Sequence, residues 1–229
     1  MMMIRWPAWW AALPILLLIG SGCSKASEGA GPDSAGAAQV ALLFRSGFAE
    51  ARSNSGDAAK AQDRSYESVA SVRRAMGRQM AENVRSSFSL RFANADQDQF
   101  MQSGAAAEVA DRKIEALGLP LNDLASASVL LFGVAWELAN AQPLTAAQQR
   151  ALVRQVGAEL KQSSDPGARR REAEAQLAIA GLWLEEERLR QGSAEQMQAL
   201  SDAVQQDMKK LSGNDMRAHD LTEKGFVER

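Results

Sequence analysis

Histidine, cysteine and tyrosine each occur once in this 229-residue chain, as His219, Cys23 and Tyr66. A single cysteine excludes an intrachain disulfide and any multi-cysteine metal site. A single histidine leaves His-based metal centres and catalytic triads without the members they need, and His219 itself reads as a tail residue in solvent. Glycine-rich phosphate loops are missing as well. Neither sign of charge is in excess, with 26 basic groups against 28 acidic ones. That balance gives no footprint for nucleic acid. The longest basic run, Arg169-Arg170-Arg171, is followed by Glu172 and Glu174 and reads as a solvated helix face. Threonine and isoleucine are scarce, whereas Ala, Gln, Glu, Arg and Leu abound. This is the composition of helices with charged surfaces and aliphatic cores, so the expected fold class is all-α.

What is present begins with an export signal. Arg5 supplies a short positive start, and residues 6–19 an apolar stretch interrupted by Pro7 and Pro14, within the length range of a signal peptide. A membrane-spanning helix needs about 20 apolar residues, so residues 1–22 read as a cleaved leader. Their loss removes Arg5 and no acid, leaving the mature chain only slightly more negative. Gly20-Ser21-Gly22 directly before Cys23 resembles the lipobox of bacterial lipoproteins, and the resemblance implies lipid attachment at Cys23. Ser21 and Gly22 fit that pattern. Gly20 departs from it, because Leu is usual there and the nearest aliphatic, Ile19, lies one residue early. Ser24 in place of Asp resembles a lipoprotein passed on to the periplasmic side of the outer membrane. The alternative is ordinary secretion with cleavage after Ala26, giving a soluble periplasmic protein.

Residues 24–39 are Ser, Gly and Ala with one Pro and scattered charge. They are too polar to bury anything and read as a flexible tether. Extended, they reach on the order of 50 Å. Val40-Ala41-Leu42-Leu43-Phe44 and Phe48 make an apolar island at 40–48, either a short helix that docks on the main domain or a peptide for a partner. The expected organisation is a signal peptide at 1–22, a lipidated flexible tether at 23–62 and a helical domain at 63–229.

Within that domain a bundle of about six helices is expected. Val69, Val72, Met76, Met80, Val84 and Phe88 recur at helical spacing from about Arg64 onward and mark one inward stripe. Asn94 to Asp98 suit the start of a second helix carrying Phe100, Met101, Val109, Ile114 and Leu117, ended by Gly118 and Pro120. Asn122 can cap a third, in which Leu124, residues 129–132, residues 134–136 and Leu138 place apolar groups on every side. Glu137 is its only charge after Asp123, so this helix is expected to be the central one. Thr145 and Gln148 form a capping box for the next, with Leu152, Val156 and Leu160 inward. Asp165-Pro166 starts another, carrying Leu177, Ala180, Trp183 and Leu184. Ser193 and Gln196 open the last, which runs through Leu200, Val204, Met208 and Leu211 to Gly213-Asn214. Met216, Leu221, Phe226 and Val227 are expected to clip the polar tail back onto the bundle.

Gly118-Leu119, Asn122-Asp123-Leu124-Ala125, Val134-Ala135-Trp136 and Leu221-Thr222-Glu223-Lys224-Gly225-Phe226 are similar to a family of exported proteobacterial proteins catalogued only as a domain of unknown function. The similarity covers residues 68–227. It implies an α-helical exported domain and brings no activity, cofactor or site.

Candidate chemistry is sparse. Asn94, Asp96 and Asp98 imitate the start of a calcium loop, but Gln99 stands where Gly is required and Ala105 where Glu is. The helix-start reading takes precedence. Glu67-Ser68 resembles the acid-serine start of lytic transglycosylases, yet Glu67 sits at a polar helix start and the glycine-rich continuation is missing. A glycan-cleaving acid needs an apolar cleft. Trp136 and Trp183 could line a ligand pocket, but at helical spacing they read as core. No catalytic, cofactor-binding or metal residue is assigned; Cys23 alone is, for lipid. The expectation is a non-enzymatic interaction or accessory protein, such as a secretion or pilus factor or an immunity lipoprotein, with an envelope protein partner and contact with the membrane through Cys23. A peptidoglycan-acting hydrolase is the alternative.

Overall fold

A computed structural model describes residues 65–160 and 165–229. The signal peptide, Cys23, the tether and the apolar island lie outside the described residues. The described chain forms seven α-helices, α1 Ala70–Ser86, α2 Asp96–Ser103, α3 Ala105–Ala116, α4 Leu124–Asn140, α5 Ala146–Glu159, α6 Pro166–Arg190 and α7 Ala194–Ser212. A 3-10 turn at Met216–Ala218 and a hairpin of β1 His219–Thr222 and β2 Gly225–Glu228 follow. The architecture is all-α, as composition required. No helix among the described residues is long and apolar enough to cross a membrane.

Local chemistry explains most boundaries. Thr145 and Gln148 complete a reciprocal capping box at α5. Asp165 accepts from the backbone N–H groups of Gly167 and Ala168, with Pro166 in the first turn of α6. Ser193 caps α7 through Gln196 N, and Gly213 ends it with φ +77°.

Four expectations are corrected. The first helix starts at Ala70, not near Arg64, and stops before Phe88. Residues 65–69 run extended, with the Tyr66 N–H donating to Asn122 O at 2.9 Å and Ser65 bridging Asp123. The helix expected across 94–117 is two, because Gly104 takes φ +92° between α2 and α3, a conformation that only glycine adopts without strain. The cap of α4 is Asp123, which accepts from Ser126 N at 2.8 Å; Asn122, at φ +53°, lies outside the helix. The tail forms an antiparallel hairpin with Leu221 opposite Phe226. Leu221 and Phe226 pack on the core, but Val227 is exposed.

α4 is buried around nearly its whole circumference, with Trp136 buried in its C-terminal half. It contacts α3, α5, α6, α7 and the 3-10 turn. It shares the central place with α6, which is buried without a break from Glu172 to Trp183. α6 earns no such place from apolarity, since Glu172, Glu174 and Gln176 are among those buried residues. Small residues explain its position: a Cβ on Gly181 would lie 1.8 Å from the carbonyl oxygen of Ala106, so α3 and α6 touch backbone to backbone. Ser128 Oγ donates to Gln176 Oε1 at 2.8 Å and stitches α4 to α6.

Candidate functional site

Three fully buried carboxylates dominate the electrostatics of the bundle, and each has an internal task. Glu174 on α6 accepts from Arg73 Nε at 2.8 Å and from Ser68 Oγ at 3.3 Å, while Arg73 Nη1 reaches Asp111 on α3 at 2.8 Å. This network ties the entering segment and α1 to α3 and α6. Glu186 accepts the Ala93 N–H at 3.0 and 3.2 Å and two donors of Arg190 at 2.9 and 2.7 Å. Asp207 on α7 accepts the N–H groups of Ser89 and Leu90. The non-helical segment 87–95 cannot satisfy its own N–H groups in the interior, and these two carboxylates do it. Burial pushes the Asp207 carboxyl up, against the hydrogen bonds from Ser89 and Leu90 that lower it.

Glu172 differs. It is 5 % exposed, and among the described residues its carboxyl has no hydrogen-bond or ion-pair partner. Burial alone pushes it up from 4.5 to about 7. Its sequence context, behind three arginines, suggested a solvated face.

A concave feature lies where α3, α4 and α5 meet. It is a cleft of about 110 Å³ with Val129, Leu130, Gly133, Val134 and Leu152 in its wall, and Lys113, Glu137, Leu144 and Gln149 at its rim. Leu144 and Leu152 pack on Gly133, where a Cβ would stand 3.3 Å from Leu144 Cδ1 and 3.6 Å from Leu152 Cδ2. Glu137 Oε1 accepts the Leu144 N–H at 2.8 Å, and Gln149 Nε2 donates to Leu117 O at 3.2 Å. Both side chains are thereby held in place and keep a free oxygen. Among the described residues the Lys113 ammonium has neither an ion pair nor a hydrogen bond. Glu187, on α6, is half-buried. Burial raises its carboxyl, Glu137 raises it further, and Lys113 pulls it back. One cation, Lys113, and one carboxylate, Glu137, thus line an apolar cleft with no ion pair between them. Glu137 had a readable signal, as the only charge within an apolar helix; Lys113 and Gln149 had none, because two other helices bring them in.

A second, shallower groove of about 230 Å³ runs between Ser71, Val72, Ala75 and Met76 on α1 and Gly167, Arg170 and Arg171 on α6. Its wall is almost wholly aliphatic.

The residues weighed in the sequence as candidates for chemistry do not line the cleft. Trp136 and Trp183 are core, with Trp136 Nε1 donating to His219 O at 3.1 Å. His219 is half-buried rather than free in solvent: its Nδ1–H donates to Asp215 O at 2.7 Å, and its ring stands edge-on to Phe226 at 6.3 Å. Asn94 Oδ1 accepts the Asp96 N–H and Asp98 is held by Arg85 and Gln102, so the acidic cluster starts α2. Glu67 is exposed, and Ser68 is engaged with Glu174. No family model matches the chain, and no curated protein and no solved structure matches it.

Proposed function

We propose that this protein is a lipid-anchored envelope protein that acts by holding a partner, not by turning over a substrate. The observation that carries the reading is the contrast between the cleft and the rest of the buried charge. Glu174, Glu186 and Asp207 are engaged in holding chain segments together, whereas Lys113 and Glu137 line a concave apolar cleft with bonding capacity to spare. Groups of that kind suit recognition, because an incoming ligand supplies the partners they lack. Attachment through Cys23 and a long tether would add local concentration without adding contacts, so a modest binder becomes an effective one.

The second reading, a hydrolase acting on peptidoglycan, has one observation in its favour. A glycan-cleaving acid must hold its proton near neutral pH, and Glu172 does so. It lines neither the cleft nor the groove. Cross-linking in intact cells followed by recovery of the full-length protein separates the two. The proposal expects one dominant envelope partner, recovered less well from cells carrying Cys23→Ser. No enrichment over an unrelated lipoprotein, together with turnover of purified peptidoglycan that Glu172→Gln abolishes, would put the hydrolase in its place.

A further inference from the structure

Among the surface features, the cleft beside Glu137 is the one whose chemistry specifies a ligand. The groove between α1 and α6 is lined by Arg170 and Arg171, the latter already 3.7 Å from Asp165, so it selects no particular occupant. Glu172, 5 % exposed, lines neither the groove nor the cleft.

The cleft is more demanding. Its volume of about 110 Å³ is smaller than the engineered cavity of about 150 Å³ in another protein that accommodates benzene. A small aliphatic group of three or four carbons suits this space. The rim then decides the charge. Glu137, held through one oxygen by the Leu144 N–H, keeps a second oxygen that an incoming cation can meet. Lys113, unpaired on the α3 side, calls for an anion. A ligand carrying only one charge would satisfy one side and leave the other desolvated, at a loss.

Resting on the partner-holding reading above, we propose that the cleft binds an aliphatic zwitterion. The aliphatic group packs against Val134 and Leu152, the ammonium faces Glu137, and the carboxylate faces Lys113. Both a free branched amino acid and the end of a short peptide present this chemistry.

Titration calorimetry of the full chain tests it with L-valine, the dipeptide alanyl-valine, valinamide, which lacks the carboxylate, and N-acetylvaline, which lacks the ammonium. Valine or the dipeptide should bind in the millimolar range or tighter, and whichever binds better identifies the source. Each blocked compound should bind at least about tenfold more weakly. Lys113→Met should weaken valine about tenfold while leaving valinamide unchanged, a pattern that general unfolding does not produce. Gly133→Ala should weaken all four compounds, with an unchanged circular dichroism spectrum as the control for folding. Binding of valine, valinamide and N-acetylvaline with equal strength, or no binding by any of the four to folded protein, overturns the proposal. In that outcome a partner still captured in cells by the Lys113→Met protein would leave the broader reading standing, and loss of the partner from the wild type would remove both.

Discussion

Replacing Glu172 by Gln removes one ionisation from the interior and keeps the size of the side chain. In the folded protein its carboxyl sits at about 7 against an ordinary 4.5, and burial is the sole cause. Between those two pH values the folded chain holds a proton that the unfolded chain has released. Unfolding therefore releases a proton, and stability falls as pH rises through this window. Below about 4.5 both states are protonated and the group contributes nothing; above about 7 the folded state must carry a buried, unpaired charge. At about 1.4 kcal/mol per pH unit, the difference amounts to about 3 kcal/mol. Glu172→Gln is thus expected to melt at the wild-type temperature near pH 4.5 and roughly 6 to 12 °C higher at pH 8. Burial also raises Asp207 and Glu187, which act with the same sign in both proteins, so only the difference between the two melting curves reports on Glu172. Scanning calorimetry from pH 4 to pH 8 measures it. Parallel curves for wild type and variant would refute the reasoning and show that water or a cation reaches the carboxylate.

Trp136→Ala removes a side chain that is 2 % exposed and hydrogen-bonded to His219 O; it should cost about 3 to 5 kcal/mol by denaturant titration, and an unchanged midpoint would contradict its central position. Gly181→Ala places a methyl group 1.8 Å from Ala106 O and forces α3 from α6. A loss of about 3 kcal/mol or more is expected, with a neutral effect showing that the two backbones do not touch. For the anchor, mass spectrometry of the mature N-terminus should find acylated Cys23, and Cys23→Ser should move the protein into the soluble fraction; an unmodified N-terminus at Ser27 would establish plain secretion instead.

Much of the fold was legible one residue at a time. Thr145 with Gln148, Asp165 with Pro166, and Ser193 with Gln196 each bond within their own helical turn. A single sequence therefore displays both halves of the interaction. The all-round apolarity of α4 was equally plain, because burial on every side leaves no place for charge except Glu137. Tertiary structure decided what depends on partners distant in the chain. α6 reads as polar, yet Gly181 and the alanines around it let it sink to the centre, and Arg73, Ala93 and Ser128 arrive from elsewhere to satisfy Glu174, Glu186 and Gln176. The cleft belongs to the same class. Lys113, Glu137 and Gln149 come from three helices, and Lys113 and Gln149 alone read as an ordinary surface charge and amide. Helical period and capping are short-range and written locally. A buried charge is tolerable only where another part of the chain meets it, so its meaning exists only in the folded state.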